Sequence, residues 1–298
     1  IPLNFWFNKD YGLSLPLVAL QYHEVVLYIK FKDLDKIKIV NEIKETTYTD
    51  LYDLVPSDNK VKNKKSFFNV DNKTNLSNRK WEIQSFTGEI SDVSCYCNYI
   101  FLDADERKLF ANKSHEYLIE QIQTIEKISL PVLTKSLPFN NVEISLDFNH
   151  PVKEIIWTMN SKLLDGLNFY KNQDFSDIIS DVLLLANNID IINRREGSFY
   201  NMIQPFQYHT NGGLIQNNKN RYYNGGYYMY SFCLEPEKYQ PSGTINFSRL
   251  NNFLINFKYQ KTNPKFTHID EEYVFNCYAI NYNILKIENG MGGLIYSS

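Results

Sequence analysis

The sequence predicts an all-β protein, an antiparallel sandwich or jelly roll. Three observations carry this reading. Val142, Ile144, Leu146 and Phe148 alternate with Glu143, Ser145 and Asp147. That is the pattern of a strand with one buried and one wet face. Strand-like runs at 152–159, 182–192, 227–234, 253–259 and 273–287 then follow, with turn signals between them and few helical stretches. Aromatic residues make up 15% of the chain, mostly Tyr and Phe, and these favour strands.

The same rules divide the rest of the chain. Residues 1–7 are apolar, Asn8-Lys9-Asp10-Tyr11-Gly12 is a turn, and residues 25–31 alternate. Together they predict two strands around a turn. Residues 41–80 are polar and aperiodic and read as a long surface loop. It carries glycosylation sequons at Asn72 and Asn75, which are expected to be unused. Residues 90–102 return to strand. Asp103, with Glu106 three residues on, marks a helix start. Ser114 is the expected start of a second short helix. A short helix is also expected within 194–207, and Asn211-Gly212-Gly213 and Asn224-Gly225-Gly226 are turns.

Composition excludes several classes. The 298 residues suffice for one or two domains with a buried core. A net charge of −3 gives no basic field to hold nucleic acid. The local run Lys60-Val61-Lys62-Asn63-Lys64-Lys65 reads as a solvated loop. No apolar run is long enough to span a membrane, and no signal peptide is visible. The chain opens on Ile1-Pro2-Leu3 without Met, which reads as a start within a domain.

No catalytic, cofactor-binding or metal-ligating residue is assigned. His23, His115, His150, His209 and His268 are scattered, where a metal site inside a jelly roll needs clustered His and carboxylates. Cys95 and Cys97 share a strand face but lack further ligands, and Cys233 and Cys277 stand apart. Free thiols are the expectation. Asp103, Asp105 and Glu106 suit a helix N-terminus better than a calcium site. No nucleophile motif surrounds any Ser or Cys. Gly290, Gly292 and Gly293 lack the Lys-Ser/Thr of a phosphate loop and are expected to serve turns. Tyr222, Tyr223, Tyr227, Tyr228 and Tyr230 could form a sugar platform, but packing of a sheet or interface is the preferred reading.

Three blocks carry a family resemblance. The first is Gln240-Pro241-Ser242-Gly243-Thr244-Ile245-Asn246-Phe247-Ser248-Arg249-Leu250, then residues 278–287, then Gly290-Met291-Gly292-Gly293-Leu294. The second is Ile1-Pro2-Leu3-Asn4-Phe5-Trp6-Phe7 with residues 15–24. The third is residues 103–111 with 115–121. In this order they resemble the major capsid proteins of nucleocytoplasmic large double-stranded DNA viruses, while 41–80 and 160–230 add little. The resemblance implies a double jelly roll: 1–102 as the later part of the first roll, 103–122 as a helical connector, and 123–298 as the second roll. The early strands of the first roll would be absent from this chain, supplied by upstream residues, the preferred reading, or by another segment.

The resemblance further implies a non-enzymatic homotrimer forming pseudo-hexagonal capsomers of an icosahedral shell. Its partners would be neighbouring capsomers, minor capsid proteins and a penton protein. An inner viral membrane would lie nearby without insertion, and assembly would take place in the host cytoplasm. No cofactor and no direct nucleic-acid contact are implied. A double jelly-roll assembly scaffold and a carbohydrate-binding β-sandwich are the alternatives.

Overall fold

Two antiparallel sheets face one another over residues 115–294 in a computed structural model of the chain. It describes residues 2–31, 38–44, 79–85, 92–161, 178–210, 214–216, 222–224, 227–260 and 272–296. The 6-stranded sheet runs β10 (Tyr227–Ser231), β5 (Pro151–Ser161), β13 (Tyr273–Glu288). β3 (His115–Ser129) pairs along the far side of β13, β14 (Met291–Leu294) pairs with its end, and β11 (Ile245–Asn246) pairs with the start of β5. The 4-stranded sheet runs β4 (Phe139–Ser145), β12 (Phe253–Gln260), β6 (Ile179–Ala186), β7 (Ile189–Glu196). The orders β3-β13-β5-β10 and β4-β12-β6-β7 are those of a jelly roll, in which the chain crosses repeatedly between two sheets.

Alternation builds the core between the sheets. On β12, Phe253, Ile255, Phe257 and Tyr259 are buried and their neighbours are not. Ile155, Trp157 and Met159 of β5, Phe275 and Cys277 of β13, and Val182 and Leu184 of β6 meet them. Phe257 and Phe275 stack across the sheets at 5.4 Å. Trp157 stacks on Tyr228 at 6.0 Å and tilts against Tyr200 at 5.4 Å. Such ring pairs add about 0.5–1.5 kcal/mol each beyond burial.

The registers also fix which connections share an end. Ser161 lies opposite Tyr273, Val274 opposite Ser129, and Tyr227 opposite Thr158. The chain therefore leaves β3 and β5, and enters β10 and β13, at one end of the sandwich. At the other end one connection is a tight turn. Between β6 and β7, Asn187 and Asn188 form a two-residue turn with φ of 52° and 63°, a geometry Asn tolerates.

Several sequence expectations need correction. The run 182–192 is two strands, not one, because Asn187-Asn188 turns the chain. The second helix expected at Ser114 is absent. One helix, α1 (Ala104–Asn112), is followed by β3, whose residues from His115 onward pair with β13. The connector expectation of 103–122 thus overlaps the first strand of the sandwich. The helix expected within 194–207 begins later, as a π-helical turn at Phe199–Ile203 and α2 (Gln204–Tyr208).

Residues 2–31 hold two 3-10 turns, Trp6–Asn8 and Tyr11–Leu13, and no ladder. Residues 25–31 and 92–102 have strand periodicity but no paired neighbour among the described residues, and Tyr28, Tyr96 and Phe101 face solvent. A strand needs a partner for its backbone groups, and alternation alone does not supply one. The stretch read as a loop at 41–80 is entered and left by a ladder, β1 (Lys38–Lys44) against β2 (Arg79–Ser85). Residues 45–78, with Asn72 and Asn75, lie outside the described residues.

Candidate functional site

The residues weighed for chemistry are dispersed, and most of the described ones have a structural partner. Asp103 caps α1, its carboxylate accepting the Asp105 and Glu106 N–H groups at 3.1 and 2.9 Å. His115 donates to the Phe110 carbonyl at 2.8 Å. His150 is buried and stacks on Tyr296. His268 lies outside the described residues. Cys233 and Cys277 are buried, and burial pushes the Cys277 thiol far up. Cys95 and Cys97 are exposed, with sulfurs 3.9 Å apart. Among the described residues, no group of three or more His, Cys, Asp or Glu could hold a metal, and no helix is long and apolar enough to cross a membrane.

The tyrosines of 222–230 do not present one platform. Tyr228 is in the core with its hydroxyl accepting the Ile179 N–H, Tyr230 packs against that core, and Tyr227 stacks on His209. The side chains of Tyr222 and Tyr223 lie outside the described residues.

The densest polar arrangement was missed by sequence reading. Lys153 is 3% exposed on β5. Its ammonium donates to the Glu120 carboxylate of β3 and to the Pro236 carbonyl in the connection after β10, beside the Tyr282 ring. Glu120 also accepts from Lys9 of the N-terminal segment. Burial pushes the Glu120 carboxyl up, but hydrogen bonds from Lys153 and Lys9 outweigh this and hold it below the usual range. The adjacent Glu154, 4% exposed, accepts from His209 at 2.9 Å. Lys153-Glu154 within an otherwise apolar run was the available signal, since buried charges require partners.

The His209–Glu154 pair gives a pH-dependent prediction. The hydrogen bond to Glu154 raises the His209 pKa; burial opposes it, and the Glu154 and Glu237 charges support it. A folded pKa above the unfolded one stabilises below about 6.5, and the gain is lost as pH rises through the folded pKa. His209→Gln should therefore lower Tm most near pH 6 and least near pH 9. The expected drop is about 2–4 °C, for about 1 kcal/mol. Thermal melts of both proteins across that range check it.

The N-terminal segment, which supplies Lys9 to this network, makes further contacts with β3 and the C-terminal turn. Trp6 tilts on Tyr117 at 5.8 Å. The Tyr22 N–H donates to the Gly290 carbonyl at 2.9 Å, and the Gly292 N–H donates to His23 Nδ1 at 3.0 Å. Gly290 has φ of +80°, and a Cβ there would lie 2.6 Å from the Tyr22 ring. The glycine-rich end thus admits the N-terminal segment as well as making a turn.

The two facing sheets, in the strand orders given above, define the class of protein as a jelly roll. The comparisons identify the family. A family model described as large eukaryotic DNA virus major capsid protein matches residues 106–293, and one for the major capsid protein N-terminus matches residues 1–103. The chain belongs to the family of large eukaryotic DNA virus major capsid proteins.

It is 30% identical to a major capsid protein of Pyramimonas orientalis virus and 29% identical to one of Paramecium bursaria Chlorella virus 1. All of this chain is covered in both alignments, but it spans only 61% and 66% of those relatives. The solved PBCV-1 VP54, fitted into a reconstruction of the virophage Sputnik, matches with TM-score 0.64 at 26% identity. That match covers 100% of this chain and 70% of the solved one. The PBCV-1 capsid model gives TM-score 0.62 at 25% identity, with the same coverage. The fold is all-β, and these neighbours are double jelly-roll capsid proteins.

Proposed function

We propose that this chain is a major capsid protein sequence whose protein self-assembles into trimeric capsomers of an icosahedral shell. The carrying observation is the family match in chain order, residues 1–103 and then 106–293, joined at α1. In this reading the residues before α1 belong to a first jelly roll and those after it form the second. Three chains, each with two rolls, fill a pseudo-sixfold lattice site. The protein's role is then mechanical, with no reaction, cofactor or direct nucleic-acid contact.

Capsomers would contact one another, minor capsid proteins and a penton protein. The inner membrane would be approached but not entered, and assembly would take place in the host cytoplasm. The long connections at one end of the sandwich would face outward, since surface loops tolerate length. Each subunit contact would bury on the order of 1,200 Å² or more.

Native mass spectrometry of the purified protein tests this. A species of three subunit masses, persisting on dilution, is the expected result. A monomer at every concentration would overturn it, and saturable glycan binding by that monomer would favour a carbohydrate-binding module instead.

A further inference from the structure

We propose that His209 and Glu154 form a proton-operated latch, which fastens the last turn of α2 to the six-stranded sheet in acid and lets it lift as pH rises while the sheets stay packed. The connection from β7 to β10 has two anchors of different kinds. Its first part is fixed by burial. Tyr200 and Pro205 are buried, and Gln204, 4% exposed, accepts the Ser231 N–H at 3.1 Å. Its last part is fixed by polar contacts. His209 donates from Nε2 to Glu154 at 2.9 Å and its ring stacks on Tyr227. The next residue, Thr210, donates its N–H to Glu237 at 2.8 Å and its hydroxyl to the same carboxylate. Between the two anchors Phe206 and Gln207 face solvent. A turn held in this way opens at lower free energy than a packed core.

The two anchors differ in their response to protons. The groups facing the imidazole are Glu154 and Lys153 from β5, Glu237 from the connection after β10 and Tyr227 from β10, with Tyr208 beside it on α2. The hydrogen bond to Glu154 raises the His209 pKa most. Burial and the Lys153 charge oppose it, and the Glu154 and Glu237 charges support it. The folded value thus exceeds the unfolded one. The stabilisation is complete below about 6.5 and is lost as pH rises through the folded value. A neutral imidazole can still donate from Nε2, but a charge-assisted bond is roughly twice as strong. Lys153 does not take over, since its ammonium is committed to Glu120 and the Pro236 carbonyl. The first anchor is indifferent over this range. Gln204 does not titrate, and burial pushes the Tyr200 hydroxyl far up.

The test is hydrogen exchange read by mass spectrometry from about pH 6 to about pH 8.5, a range above the ordinary His value. Rates are corrected for intrinsic base catalysis, and the amides of 206–210 are compared with those of β12. The expected result is that protection of 206–210 falls about fivefold as pH rises, the difference between a charged and a neutral hydrogen bond. That protection stays below the β12 level and is insensitive to low urea, as a local opening requires. His209→Gln, whose amide donates without titrating, should be low and flat with pH. Glu154→Gln, a neutral acceptor of the same shape, should also be flat. Three results would overturn the proposal: a flat parent, both variants keeping the parent's slope, or 206–210 matching β12 in protection and urea response. The last would mean that the turn opens only with the whole sandwich, and it is read on the parent alone, whatever the variants do.

Discussion

Gly197→Ala should lower the stability of the sandwich by at least about 3 kcal/mol, beyond the usual range for overpacking, and drop Tm by about 10 °C. A Cβ at this position would lie 2.0 Å from the Ile179 carbonyl oxygen and 3.1 Å from its carbon. Both are backbone atoms and cannot rotate away. Ile179 opens β6, its side chain is fully buried, and its N–H is held by the Tyr228 hydroxyl. Gln260 of β12 donates to the Ile178 carbonyl just before it. Gly197 follows the last residue of β7 directly, so neither strand can yield without breaking the β6–β7 ladder. Elsewhere a Gly→Ala change often stabilises by about 0.4–1 kcal/mol through the unfolded chain, so the expected sign is reversed here. Gly293→Ala, with nothing within 4 Å of its Cβ, is the control and should be near neutral. Equal melting of the two variants would refute the packing account.

Lys153→Ala should cost about 3–5 kcal/mol, the range for removing one partner of a buried ion pair. The change strips Glu120 of its buried cation, leaves the Pro236 carbonyl without its donor and opens space beside Tyr282. Glu120 retains only Lys9, which is itself partly exposed. The decisive comparison is the double variant Lys153→Met/Glu120→Leu. Replacing both charges with apolar groups of similar volume is often neutral or stabilising, so the double variant should recover most of the loss. Urea denaturation of the three proteins measures this. If the double variant is as unstable as the single, the network contributes more than pairing and the desolvation account fails.

Local pattern located the strands that the sandwich completes by itself. The run read at 273–287 is β13, Tyr273–Glu288, a largely apolar and aromatic stretch suited to a strand held between neighbours, with Asn276, Asn281 and Asn283 as its buried polar exceptions. The alternation from Val142 to Phe148 is kept even past the end of β4, with Leu146 and Phe148 still buried. What sequence misread was non-local. His115–Gln121 follows a well-capped helix and carries helix-compatible residues, but pairing with β13 makes it strand. Residues 25–31 and 92–102 alternate as strands should, yet no described strand lies beside them. The Lys153–Glu120–Lys9 network joins positions far apart in the chain, and only the crossing of β3, β5 and the N-terminal segment brings them together. The two-residue turn at Asn187-Asn188 was legible, since paired Asn in positive φ is a hairpin signal, but an apolar run on both sides masked it.

The weave that returns Ser129, Ser161, Tyr227 and Tyr273 to one end has an evolutionary corollary. Lengthening a connection there raises its closure entropy only logarithmically, about 0.6 kcal/mol per doubling. At the far end the Asn187-Asn188 turn and the Gly290–Gly292 stretch seated against Tyr22 and His23 have no such slack. Drift in chain length should therefore concentrate in the longer connections and spare these two. A lineage could remodel the former repeatedly while the latter stay geometrically frozen, and a guest peptide grafted for display belongs in the former.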